Sequence, residues 1–343
     1  MSDLEILKKE AFKLAKQPLE THKSHYFEYD GIYIAPTSNT KQMMKLYKDC
    51  KKVLTVGSTG AIGYEALLNG ATEVDLFDIN NLQRLYFMYQ KTAITILKYE
   101  EFIKHFTLTN QTFPLYKSMT KNLLSNELFD KLYPYLDKEV KEVFGALYDF
   151  YYSQDLILSA LFRFEHTLAT DYLKRTISYY NKEQYYQLQK ILREEKAKIT
   201  YQPCSLIDVP KIFQEKYDLI ALDNILQYYE TIPELNTISK INMFIKEQLA
   251  NVLNENGLIQ VMYGFEIETD ALKEVLNFRS RKTDSQDNLE ELLKKFILKN
   301  YMNKSVCAGL IKGETLYSYT IIEGVEEEHG QISDNVVLTY QKK

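Results

Sequence analysis

Lys52-Val53-Leu54-Thr55-Val56-Gly57-Ser58-Thr59-Gly60-Ala61-Ile62-Gly63, followed by Glu73-Val74-Asp75-Leu76-Phe77-Asp78, is the stretch that decides the fold of this chain. Val53 to Val56 is a β-prone run that stops at a glycine-rich turn. Tyr64 to Leu68 has helix-forming composition, and Asn69-Gly70 closes that helix with a residue able to go left-handed. Glu73 to Asp78 reads as a second strand and Asn81 to Lys98 as a long helix. Strand, glycine turn, helix, strand and terminal acid make the opening βαβ unit of a doubly wound sheet.

Gly57, Gly60 and Gly63 let the backbone turn sharply and approach a ligand at the carboxyl end of a strand. Asp78 follows Gly57 by 21 positions. At the end of the next strand, such a carboxylate accepts hydrogen bonds from both ribose hydroxyls of an adenosine. Gly57, Ser58, Gly60 and Asp78 are therefore expected on an adenosine cofactor. Two such cofactors compete. The glycine spacing is similar to that of extended short-chain dehydrogenases, which use a nicotinamide dinucleotide, and Tyr186-x-x-x-Lys190 has the spacing of their catalytic pair. That pair lies in a plainly helical stretch, however, and those enzymes start with their glycine strand, whereas about fifty residues precede it here.

The second half of the chain favours S-adenosylmethionine. Strands at Ile199 to Tyr201 and Tyr217 to Leu222 precede a helix from Glu234 to Leu253, then Asn256-Gly257 and a strand from Leu258 to Tyr263. Helices are expected at Thr269 to Asn277 and Asn288 to Leu298, and the antiparallel strands Thr315 to Ile322 and Asn335 to Gln341 finish the chain. This order resembles the class I methyltransferase-like fold: an α/β, doubly wound Rossmann sheet, here with a helical insertion and a terminal antiparallel pair. The resemblance implies that Ser205 and Leu206, after the third strand, hold the adenine, with Ser205 standing where an acid is common. Asp223-Asn224-Ile225-Leu226 lacks the prolines of an Asp-Pro-Pro-Tyr motif, which disfavours amino-group methylation of nucleic acids.

A closer resemblance lies in Asp78-Ile79-Asn80-Asn81-Leu82-Gln83, Lys98-Tyr99-Glu100-Glu101-Phe102 and Asp223-Asn224-Ile225-Leu226-Gln227. These segments are similar to the S-adenosylmethionine:diacylglycerol aminocarboxypropyl transferases of betaine-lipid synthesis. The family has Pro where Asn81 stands and Ser where Asp223 stands. The resemblance implies that Ile79, Asn80 and Asn224 contact the cofactor, and that Asp223 and Tyr228 orient or deprotonate the acceptor. Asn80 with Gln83 is also close to a capping box at a helix start. The expected activity is transfer of an aminocarboxypropyl or a methyl group, with a slight lean to the former. A non-catalytic S-adenosylmethionine-binding or regulatory protein is the alternative, and a dehydrogenase-like protein the weaker one.

Leu4 to Ala15 reads as an amphipathic helix. Asp30-Gly31, between Tyr26 to Tyr29 and Ile32 to Ala35, reads as a hairpin turn. From Tyr99 to Lys198 the pattern is helical, too long for one crossover. The expected organisation is an N-terminal helix and hairpin over 1–50, a Rossmann-like domain over 51–98 and 199–343, and a helical lid or substrate subdomain over 99–198. Within it, Arg163 and His166 form the one polar cluster, read first as structural and second as facing a substrate.

Composition narrows the partners. The 343 residues are 45% hydrophobic and 26% charged, with net charge −5 and no basic block, so a grip on nucleic acid phosphates is not expected. Three distant cysteines and five histidines without a ligand spacing argue against disulfides and metal. No apolar run is long enough to span a membrane, and the acidic start lacks a secretory signal. A cytoplasmic enzyme with a small-molecule or lipid acceptor is expected.

Overall fold

The computed structural model describes residues 2–18, 28–36, 38–107, 124–151, 159–163, 170–225, 232–235, 238–265, 316–322 and 334–342. The helices expected at 269–277 and 288–298 lie outside them. The glycine strand, β2 (Lys52–Val56), is central. It pairs in parallel with β3 (Glu73–Asp78) on one side and β6 (Tyr217–Ala221) on the other. β5 (Lys198–Pro203) extends the sheet beyond β3, and β7 (Leu253–Phe265) extends it beyond β6. β9 (Asp334–Gln341) runs antiparallel against β7, and β8 (Leu316–Ile322) antiparallel against β9. The order β5-β3-β2-β6-β7-β9-β8 is the doubly wound, methyltransferase-like Rossmann sheet, with β9, the last strand in the sequence, inserted antiparallel before the edge.

A parallel sheet covered on both faces needs strands that are apolar on both sides. Val53, Val74, Leu76 and Leu219 belong to the core with α3 (Ala61–Leu68) and α4 (Asn81–Ile96), which follow α1 (Asp3–Ala15) and α2 (Thr40–Lys45) in the chain. Leu54, Phe77, Ile220 and Leu222 belong to the core with the short helical turns of 206–213 and 233–252. α4 is buried on several sides, from Leu82 and Leu85 to Tyr86, Phe87 and Tyr89. A helix apolar nearly all round must be enclosed. α5 (Tyr99–Phe106) and the helices of 126–193 enclose it, stacking Phe129, Phe144 and His105 against Tyr89 and Phe162 against Tyr86.

Three local expectations change. Ile32–Tyr33 (β1) pairs in parallel with Phe162–Arg163 (β4), inside the segment read as helical, rather than forming a hairpin arm across Asp30-Gly31; Tyr26 and Phe27 lie outside the described residues. Strands of two residues carry no alternation to read. The helix expected from Glu234 to Leu253 is broken into Pro233–Leu235, Ile238–Met243, a π-helical Phe244–Gln248 and Leu249–Val252. Asn256-Gly257 lies inside β7, not before it. Asn256 takes φ +60°, and a Cβ on Gly257 would meet the Asn254 carbonyl oxygen at 2.8 Å. No helix among the described residues is long and apolar enough to cross a membrane.

Candidate active site

In an open α/β sheet ligands bind outside the carboxyl ends of the strands where strand order reverses. Here that point lies between β2 and β6. The loop leaving β2 turns at Ser58, φ +37°, and at Gly60, φ +82°, which also begins α3. Asp78, the last residue of β3, reaches back to this loop. Its Oδ2 accepts from the Ser58 N–H at 2.9 Å and its Oδ1 from the Asn80 N–H at 3.0 Å. The Asp78 carbonyl accepts from the Cys204 N–H at 2.9 Å, which brings Ser205 alongside. Burial pushes the Asp78 carboxyl up to about 6, against the N–H groups of Asn80, Ser58 and Ile79 that favour its charge. Each carboxylate oxygen has a second acceptor site to offer. Gly57, Ser58, Gly60, Asp78, Ile79 and Ser205 thus meet along one edge. Leu206 is fully buried in the core beneath.

Asn80 is occupied differently. Its Oδ1 accepts from the N–H groups of Leu82 and Asp30, and its Nδ2 donates to the carbonyls of Asp30 and Gly31. Gln83 clamps Tyr33 in the same manner, accepting its N–H at 2.8 Å and donating to its carbonyl at 2.9 Å. The Tyr86 hydroxyl donates to the Ile34 carbonyl at 3.1 Å. These side chains hold residues 30–34 as a strap along α4. The strap continues to Ser38, whose hydroxyl donates to Asp223 Oδ2 at 3.1 Å. It therefore bridges the carboxyl end of β3 to that of β6.

Asp223 follows β6 and holds φ +48°, a left-handed conformation that costs a residue with a Cβ. Burial pushes its carboxyl up to about 6, and the Ser38 hydroxyl partly opposes this. Asn224 is half-buried beside it. Tyr228 and His166 lie outside the described residues, as does the side chain of Arg163. Tyr179 and Tyr180 are core residues. Tyr186 and Lys190 lie on the helix Lys182–Arg193, which docks through Tyr185 and Gln189 on the carbonyls of Ile94 and Leu97, at the far end of α4 from Asp78. This position separates them from the glycine loop.

Three residues escaped the sequence reading: Ser38, Gln260 and Tyr201. Tyr201 on β5 reaches over β3 so closely that a Cβ on Gly57 would collide with its ring, while Phe87 covers Gly60 in the same way. The two rings pack with centroids 5.3 Å apart. The Tyr201 hydroxyl has no hydrogen-bond partner among the described residues. Burial raises it well above the usual phenol range, and the nearby Asp78 carboxylate raises it further. No spacing marks these residues, since tertiary packing alone brings them to the edge. Among the described residues no group of three His, Cys, Asp or Glu side chains is placed to hold a metal.

No family model matches the chain, and no curated protein does. Among solved structures it is similar to the N-methyltransferase NodS from Bradyrhizobium japonicum WM9 in complex with S-adenosyl-L-homocysteine. The identity is 10%, over 99% of this chain and 97% of that one, with TM-score 0.37. It is also similar to magnesium protoporphyrin IX methyltransferase from Synechocystis PCC 6803 with the same bound ligand, at 8% identity over 89% and 84% and TM-score 0.34. The rRNA methyltransferase aviRa from Streptomyces viridochromogenes matches at 9% identity over 99% and 85%, with TM-score 0.35. Likenesses this distant carry no weight for function. The fold stands on the strand order and register of the sheet itself.

Proposed function

We propose that this protein is an S-adenosylmethionine-dependent transferase working at the carboxyl edge of the sheet. The observation that carries the reading is Asp78: a half-buried carboxylate at the end of the second strand, bound to the glycine loop by one N–H and flanked by the residues after β5. Its remaining acceptor sites suit the ribose hydroxyls, the loop Gly57-Ser58-Gly60 suits the amino-acid end, and Ile79, Ser205 and the Leu206 backbone suit the adenine. Asn224, half-buried after β6, is the further cofactor contact named by sequence. The unpartnered Tyr201 hydroxyl beside Asp78 adds a donor to the same place. Bound there, the cofactor supplies an electrophilic sulfonium carbon. The chain's own task is to hold an acceptor in line, within about 3–3.5 Å of that carbon. Asp223 is the residue best placed to orient the acceptor, with Tyr228 the second candidate named by sequence.

The side chains of Asn80 and Gln83, one part of the resemblance to aminocarboxypropyl transferases, are spent on the strap. With that part explained structurally, methyl transfer becomes the preferred reaction, to a small-molecule or lipid acceptor. Calorimetry with S-adenosylmethionine, S-adenosylhomocysteine and NAD tests the cofactor: the first two bind and NAD does not. Mass spectrometry of the nucleoside formed with cell extract tests the reaction. S-Adenosylhomocysteine means methyl transfer; methylthioadenosine means aminocarboxypropyl transfer. A second reading, a binding or regulatory protein, is favoured by Tyr201 and Phe87 closing over both loop glycines. Cofactor binding with neither nucleoside formed would select it.

A further inference from the structure

Asp223, just past the carboxyl end of β6, meets Gln260 in the middle of β7, and each keeps one polar atom without a hydrogen-bond partner among the described residues. Asp223 Oδ2 accepts from Ser38, but its Oδ1 accepts from nothing. Gln260 Oε1 accepts from the Asp223 N–H at 3.2 Å, but its Nε2 donates to nothing. Both side chains are deeply buried, Asp223 at 8% exposure and Gln260 at 0%. Buried polar groups in native folds are nearly always paired, so two orphans side by side call for an occupant. The backbone adds a third irregularity. Asp223 is held left-handed, with its carbonyl accepting from the Met262 N–H at 2.8 Å. A turn with no other duty would be made at less cost by glycine.

We infer that Asp223 and Gln260 form a subsite for a group that offers an N–H or O–H donor to Asp223 Oδ1 and, beside it, an oxygen acceptor to Gln260 Nε2. Amino alcohols, amino acids and amino amides share that pattern. An amine is the better donor because the buried carboxylate gains from positive charge. Ser38 is a positioning residue: by engaging Oδ2 it leaves Oδ1 as the acceptor for the ligand. Since Ser38 rides on the strap, the subsite is complete only with the strap in place. The geometry stands by itself; naming the occupant as the acceptor rests on the transferase reading above.

The test uses the full chain with 15N-labelled glutamine and glycinamide as the probe, with acetate as the control. The Gln260 side-chain amide signal, identified by its loss in Gln260→Leu, is expected to move saturably with glycinamide and to ignore acetate. Asp223→Asn should weaken the response roughly tenfold or more, the scale of one hydrogen bond to a charged group. Should Asp223→Asn fail to fold, Ser38→Ala carries the same decision, weakening the response while Ser38→Thr retains it. An unmoved Gln260 signal, an equal response to acetate, or indifference to these variants overturns the subsite. Calorimetry with S-adenosylmethionine keeps the two readings apart. Normal cofactor binding without a glycinamide response removes the subsite alone, and the converse removes the transferase alone.

Discussion

Asp218 and Asp223 stand at the two ends of β6, and the fold treats them in opposite ways. Asp218, at the amino edge, is fully used: Oδ2 accepts from the N–H groups of Lys51 and Lys52 at 2.8 and 2.9 Å, and Oδ1 accepts from Asn254 Nδ2 at 2.7 Å. Burial pushes its carboxyl up. The Lys52 N–H, the Asn254 amide, the Lys51 N–H and the Lys52 ammonium outweigh that and hold it below the usual range. Asp223, at the carboxyl edge, has one hydroxyl for a partner, a strained backbone and a raised pKa. The first aspartate ties strands together. The second is held at a cost, as the proposed acceptor subsite requires.

The sharpest way to break this contrast is Asp223→Asn. It should cut formation of the nucleoside by-product roughly a hundredfold or more, the scale of a lost acid–base or orienting group, while leaving thermal stability equal or higher. A drop in stability with turnover intact would make Asp223 a second Asp218. Asp78→Ala comes next, weakening S-adenosylmethionine binding by ~1.5–3 kcal/mol in calorimetry; unchanged affinity would remove the ribose contact. Asp218→Ala should do the reverse of Asp223→Asn, lowering unfolding free energy by about 2 kcal/mol in urea without altering cofactor affinity.

The smallest effect is a slope. A carboxyl raised in the folded state keeps its proton longer than in the unfolded chain. Its favourable contribution is complete below the unfolded value near 3.8 and is lost as pH rises through the folded value of about 6. Asp223 and Asp78 both act in this direction, and Glu65, whose carboxyl burial pushes up to about 7, extends the loss to higher pH. Asp218, lowered, contributes above its unfolded value and loses that contribution as pH falls through its depressed one. Urea midpoints against pH should therefore decline less between about 4 and 6 in Asp223→Asn, and fall less on the acid side in Asp218→Asn. Parallel curves for the two variants would erase the distinction.

The sequence separated what is local from what is not. β2, the glycine loop, α3, β3 and Asp78 follow one another within 27 residues, and each announces itself by its own pattern. The terminal strands were legible for the same reason. Pairing of Ile32–Tyr33 with Phe162–Arg163 was not, because neither dipeptide has a period and their meeting depends on both packing against α4. Asn80 and Gln83 were noticed, yet their duty was open: a helix cap, a ligand contact and a clamp on distant backbone all ask for the same amide chemistry. Asn256-Gly257 carried the residues of a turn and is an irregularity within a strand, since β7 begins earlier to pair Leu253 with Tyr217. Ser38, Tyr201 and Gln260 owe their meaning to neighbours far along the chain.

The strap has a consequence for how the molecule comes into being. Its anchors lie later in the chain, Asn80 and Tyr86 by 50 and 52 positions and Asp223 by 185 from Ser38. During synthesis residues 28–36 and Ser38 emerge before their anchors and have nothing to hold until α4 exists, and nothing to fasten to until β6 has been made. Contacts across such long separations form only after the shorter ones have reduced the loops between them. Order of synthesis and order of assembly then run in opposite directions, and the strap is expected to settle after the strands it bridges.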